Sequence, residues 1–201
     1  AAVIAKWGHR VLLVDADPQG NATSGIGIQR GSFRRNLYHS LVLDEPISAI
    51  ILPSAIPGLD VVPSNKDLAG AEIELVEVEQ REFRLRRALS SVEANYDYII
   101  IDSSPVLAAD DSTSLAPKID ATLFVVRLSY TSARLTRKSL ELLYNRQVNV
   151  PGVILNYVDT SLPEYYYYQY SEYYNTPVAV EEHDEVAAAS HRVQPKQIQS
   201  S

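Results

Sequence analysis

Apolar residues in this chain fall into short unbroken runs that each end on a polar residue. Residues 10–15 read RVLLVD, 98–102 read YIIID, 122–127 read TLFVVR and 152–156 read GVILN. Runs of three to five apolar side chains without polar alternation are the pattern of strands buried on both faces, as in a parallel sheet. LDVVP at 59–63 predicts one further short strand. Between the runs the period changes. Residues 72–95 place Phe83, Leu85, Ala88, Leu89 and Val92 among many charges, and residues 131–146 carry Leu135, Leu140, Leu142 and Leu143, so both stretches predict helices. The opening AAVIAKWG reads as the last turns of a helix stopped at Gly8. Residues 17–31, rich in Gly, Asn, Ser and Thr, predict a loop.

Strands alternating with helices predict an α/β fold, a parallel sheet with helices on both faces and right-handed crossovers. Ligands of such sheets bind at the carboxyl ends of strands. Asp15, Asp102 and Asn156 all stand at such ends. Magnesium takes oxygen ligands and keeps several waters, which suits Asp15 and Asp17 in VDADPQGN and Asp102 ahead of Ser103, Ser104 and Pro105. An amide offers both a donor and an acceptor, which suits Asn156 to an adenine edge. At each position a purely structural strand-end acid or turn Asn is the alternative.

Length and charge narrow the picture. The 201 residues fit one α/β domain plus a tail. The net charge of −7 argues against a strongly cationic nucleic-acid surface, though not against a local basic patch. The absence of Cys excludes disulfides, thiol catalysis and Cys-based zinc sites. No apolar run approaches the ~18 residues that span a bilayer, and no signal peptide is visible. The expected location is cytoplasmic, with the inner face of a membrane reached through a partner. After Asp159 the character changes: residues 165–174 read YYYYQYSEYY, and 175–201 are polar and without periodicity. The expected organisation is a nucleotide-binding domain over 1–160, a tyrosine cluster over 161–174 and a disordered tail over 175–201.

Two sets of motifs carry a resemblance. GHRVLLVDADPQGNATSG and PSNKDLAGAEIELV, within residues 1–95, resemble the ParA/Soj partition ATPases. YDYIIIDSSPVLAADDSTSLAPKIDATLFVVR, GVILNYVD and the tyrosine cluster, within 96–174, resemble the bacterial tyrosine autokinases of capsule and exopolysaccharide systems. Both are P-loop ATPases of the MinD/ParA class, so the resemblance implies a P-loop NTPase fold, ATP and magnesium. It implies that Asp15 and Asp17 are the acids of the family's second Walker motif, that Asp102 is the Walker B acid holding magnesium through water, and that Asn156 contacts adenine. Both families place a strand and a GxxxxGK[ST] loop just before the helix that here begins at Ala1. That motif does not occur in the sequence, the chain opens inside a helical pattern and it contains no Met. The expectation is an N-terminally truncated domain whose activity belongs to its intact parent.

The first functional expectation is autokinase chemistry: γ-phosphoryl transfer onto Tyr165, Tyr166, Tyr167, Tyr168, Tyr170, Tyr173 or Tyr174, with Asp15 or Asp17 accepting the phenol proton. Its implied partner is a membrane-anchored activator of polysaccharide export. The alternative is a partition-type ATPase that self-associates and works with DNA and a partition partner protein. Pro18 and Gln19 favour it, because autokinases usually carry an Arg shortly after the second acid. An inert remnant is the third reading.

Overall fold

The computed structural model describes residues 1–108, 114–159 and 161. Its centre is β1 (Val11–Ala16), in which the first five residues are buried. An apolar strand can be buried on both faces only if it is paired on both edges, and β1 is. β3 (Leu59–Val62) pairs with one edge and β4 (Tyr98–Ser103) with the other, both parallel. The two-residue β2 (Leu52–Pro53) adds an antiparallel edge to β3, giving the order β2-β3-β1-β4. A short edge strand carrying Pro53 offers little for another chain to pair with.

Alternation along the strands divides the core in two. Leu12, Val14 and Val62 pack on one face with Leu37 of α3 (Leu37–Val42), Leu68 and Ala71 of α4 (Leu68–Glu74), and Leu85 and Leu89 of α5 (Arg84–Leu89). Val11, Leu13, Leu59 and Val61 pack on the other with Ala5 of α1 (Ala2–Lys6) and Ala22 of α2 (Asn21–Gly25). Helices thus cover both faces, as the periodicity implied. Ile99 and Ile101 join the first cluster and Ile100 the second, so β4 follows the parity of β1.

The register between β1 and β4 is set outside the strands. Asp97 accepts from the Arg10 backbone N–H at 2.8 Å and from its guanidinium at 2.7 Å. The N–H groups of Asp97 and Tyr98 donate back to the Arg10 carbonyl at 2.8 and 3.2 Å. This clamp starts a ladder that ends with Asp15 opposite Asp102. A slip by one residue would turn every side chain of β4 to the wrong face.

A second, two-stranded parallel sheet follows. β5 (Leu123–Arg127) pairs with β6 (Gly152–Asn156), and α6 (Ala133–Asn145) connects them. Phe124 and Val126 alternate inward against Ala116 and Leu143, while Leu123 and Val125 face out. The sequence implied one continuous sheet; among the described residues no ladder joins β4 to β5, so the strands form two.

Two local expectations change. The helix expected over 72–95 is broken into α4, a 3₁₀ turn at Arg81–Phe83, α5 and a second 3₁₀ turn at Glu93–Asn95. Gln80, at φ 56°, turns the chain through the left-handed region and ends helical continuity. Leu85, Leu89 and Val92 reach the core all the same. The loop expected over 17–31 contains α2.

Residues Ala1–Tyr157 form one compact unit and Val158–Ser201 another. Within the second, Ser161 donates through its N–H and hydroxyl to Asp159 Oδ1 at 2.9 and 2.6 Å. The tyrosines at 165–174 and the tail at 175–201 lie outside the described residues. Among the described residues, no helix is long and apolar enough to cross a membrane.

Leu12 is fully buried in the larger core, so Leu12→Ala is expected to cost about 2–5 kcal/mol in urea unfolding. The acid side of the stability curve reads the clamp. Hydrogen bonds from Arg10 hold the Asp97 carboxyl down at about 2, from an ordinary 3.8. The stability this contributes is present above the ordinary value and lost as pH falls through the folded one. Between pH 4 and 2, melting temperatures of Asp97→Asn should therefore fall less steeply than those of the parent.

Candidate functional site

The carboxyl ends of β1 and β4 bring three acids together. Asp15 and Asp102 are register partners and share the parity of Leu13 and Ile100, so both belong to the α1/α2 face of the sheet. Asp17 follows in the loop between β1 and α2.

Asp15 is wholly buried. Its Oδ2 accepts from the Thr23 N–H and from the Thr23 hydroxyl, both at 2.7 Å, and its Oδ1 accepts from the Asp17 N–H at 3.2 Å. The Thr23 hydroxyl in turn accepts from the Ser64 N–H at 3.1 Å. A buried carboxylate is tolerable only with such donors. Asp15 therefore knits together the strand end, the first turn of α2 and the loop after β3. Both of its oxygens are engaged by donors from the protein.

Asp17 is partly exposed, and its Oδ1 accepts from the Gln19 N–H at 2.9 Å, which closes the turn over Pro18. Arg30 reaches across to the Gln19 carbonyl at 2.6 Å. Gly20 closes the loop against its neighbour: φ is +61°, and an added Cβ would lie 2.7 Å from the Ser64 carbonyl oxygen. Only glycine fits there.

Asp102 reaches solvent, yet its pKa is raised, first by the protein packed around the carboxyl and then by the charges of Asp15 and Asp17. A carboxylate held ionised against that repulsion is a place where an added cation is favourable. Among the described residues, no three His, Asp or Glu side chains form a metal-holding group. The donor set fits a hydrated magnesium ion touched through water, and does not fit a protein cage.

Thr23, Ser64, Asn36 and Asn65 escaped the sequence reading. Asn36, buried at the start of α3, accepts from the Tyr38 N–H at 2.9 Å and donates to Asn65 Oδ1 at 2.9 Å and Asp67 Oδ2 at 3.1 Å. The signal was present in PSNKD, a cluster of small polar residues straight after an apolar strand.

Asn156 stands apart from the acids, at the end of β6. Its side-chain oxygen accepts from the Tyr157 N–H at 2.8 Å, which leaves the amide nitrogen as its available donor. Opposite it in the ladder, the Arg127 guanidinium lies 5.2 and 4.9 Å from the ring centroids of Tyr130 and Tyr157. Among the described residues, no hydrogen bond or ion pair connects Asn156 to the three acids.

A family model described as an AAA domain matches residues 1–144. The chain belongs to that family, within the ParA/MinD class of P-loop ATPases. It is similar to the sporulation initiation inhibitor protein Soj of Bacillus subtilis, 42% identical over 168 residues that make up 79% of this chain and 64% of Soj. It is similar to the chromosome partitioning protein ParA of Myxococcus xanthus, 45% identical over 130 residues, 65% of this chain and 46% of that protein. The chain thus spans less than two thirds of each relative. Among solved structures, cobyrinic acid a,c-diamide synthase from Mycobacterium smegmatis, with a bound ATP analog and magnesium, superposes with a TM-score of 0.65 at 29% identity, over 77% of this chain and 63% of that one. In this ParA-class chain the residues around Asp15 are thus a loop built to a fixed shape.

Substitutions at two positions test how firmly the acid loop is built. Thr23→Val removes a donor to a buried carboxylate and is expected to cost about 1–3 kcal/mol, while Thr23→Ser stays near the parent. Gly20→Ala is expected to destabilise because both φ and the Ser64 carbonyl oppose it. Urea unfolding with near-ultraviolet circular dichroism measures both.

Proposed function

We propose that this chain is the acid-bearing part of a ParA-type partition ATPase, one that takes ATP and magnesium, associates with itself, and works with DNA and a partition partner protein. The observation that carries the reading is the Asp15–Asn21 loop. Its acid pair is followed by Pro18 and Gln19, the residues of the partition type, and Thr23, Gly20 and Ser64 fix its shape. The identities to Soj and ParA support the same reading.

The geometry supports a division of roles. Asp102 would hold magnesium through water, and the charge of the ion would offset the repulsion from Asp15 and Asp17. When bound, magnesium neutralises charge on the phosphates. Asp17 has an oxygen to spare and orients or deprotonates the attacking water. Asp15 keeps Asp17 in place. The Asn156 amide would read the adenine edge.

A second reading, autokinase activity with a membrane-anchored export activator as partner, is favoured by one observation, the seven tyrosines between Tyr165 and Tyr174. Phosphates there would add about −1.5 to −2 charges each.

GxxxxGK[ST] does not occur in the 201 residues, so calorimetry of this chain with Mg-ATP should show affinity weaker than micromolar. A fusion carrying the phosphate loop of Soj ahead of Ala1 is expected to hydrolyse ATP, faster with DNA present. Asp102→Asn in that fusion should lose turnover by about a hundredfold or more, and without magnesium at pH 7 it should melt above its parent, because the charge repelled by Asp15 and Asp17 is gone. Mass spectrometry of the tail separates the readings. Unmodified tyrosines in an active fusion fit the partition ATPase; phosphotyrosine that disappears with Asp102→Asn would replace it with the kinase.

A further inference from the structure

On the face of the four-stranded sheet opposite the acids, α3, α4 and α5 do not close fully over the ends of β1 and β4. A cavity of about 140 Å³ remains, bordered by Ala16 and Ser103 at the strand ends and by leucines from the three helices, among them Leu41, Leu68 and Leu85. Ala16 follows the parity of Leu12 and Val14, and Ser103 that of Ile99 and Ile101, so the cavity belongs to the larger core. It lies on the other face of the sheet from Asp15 and Asp102, though the acid-bearing loop contributes to its lining.

The mouth differs from the walls. Arg81, Glu82 and Ser114 border both the cavity and a wider adjoining recess, to which Lys118 and Arg146 also contribute. Among the described residues of the rim, Arg81 and Lys118 stand with Glu82 as the charged groups open to a ligand, on a chain of net charge −7. Among the described residues, no ion pair engages Arg81 or Lys118. The Lys118 amine sits 4.5 Å from the Phe83 ring centroid, and burial lowers its pKa, with Glu82 opposing. A cation already stripped of part of its water gains more from an anion than a hydrated one.

An apolar chamber with a cationic rim asks for a ligand with an apolar body and an anionic head. A cavity near this size accommodates benzene, so the body is on the order of six to eight carbons. We propose that the chamber and its rim bind a small amphipathic carboxylate, its hydrocarbon chain among the leucines and its carboxylate on Arg81 and Lys118. Phosphate alone would leave the leucines unused, and an alcohol would leave the cations unused. Pro18 also lines the chamber, next to Asp17, and Ser103 follows Asp102. An occupant would therefore press on both acid-bearing loops from the face of the sheet opposite Asp15 and Asp102.

Calorimetry on the 201-residue protein tests this with sodium octanoate, 1-octanol, octyltrimethylammonium and inorganic phosphate, below micelle formation. One octanoate per chain is expected, about tenfold or more tighter than octanol, from the added charge-assisted hydrogen bonds. The ammonium and phosphate should give no saturable heat. Arg81→Gln and Lys118→Gln should weaken octanoate severalfold and leave octanol unchanged. Ala71→Phe, which fills the chamber, should abolish octanoate binding at a melting temperature near the parent's. If that variant does not fold, the two surface variants still decide. Octanoate no tighter than octanol, several sites per chain, phosphate as tight as octanoate, or charge variants binding octanoate like the parent would each overturn the proposal.

Discussion

The candidate site depends on one buried carboxylate. Asp15 stands one residue before the end of the central strand, inside the protein, where an ionised group survives only with its lone pairs engaged. Its donors come from two places, the Asp17 N–H two residues on and Thr23 in the next helix. Thr23 then carries the connection to Ser64, on the loop after the neighbouring strand. Three chain segments are fixed by one charge. The geometry of Asp17 follows from that, and so does the tight approach at Gly20.

Sequence pattern located the parts of this arrangement but could not assign their work. Asp15 and Asp102 stand at strand ends in any reading of VLLVD and YIIID, with Asp17 two residues beyond the first, because apolar runs and their polar termini are local facts. That Asp15 is enclosed by donors while Asp17 stays partly exposed depends on Thr23, eight residues on, and on Ser64, which only the fold brings near. The helix read over 72–95 failed for a related reason. Its apolar spacing was right at Leu85, Leu89 and Val92, but the left-handed Gln80 broke the backbone between them, and periodicity counts side chains without sensing φ. The single sheet implied by five apolar runs became two because run composition reports burial and says nothing about which edges pair.

The two faces of the main sheet have unequal tasks. Towards α1 and α2 it presents acids at the strand tips; towards α3, α4 and α5 it presents hydrocarbon and, at the margin, basic side chains. Because successive residues of a strand point to opposite faces, Ala16 and Ser103 look away from the acids that precede them. The two chemistries are separated by one residue of chain and by the thickness of the sheet.

The Arg10–Asp97 clamp bears on how the molecule forms. Its two halves are 87 residues apart in the chain, and β1 has no partner nearer in sequence than β3. The central strand can therefore join no ladder until more than a third of the sequence that separates the clamp residues has been made or has collapsed around it. Non-local parallel pairing of this kind raises contact order and slows folding. The apolar run RVLLVD would stay uncovered longest, and it is the segment most exposed to wrong pairing before its neighbours arrive.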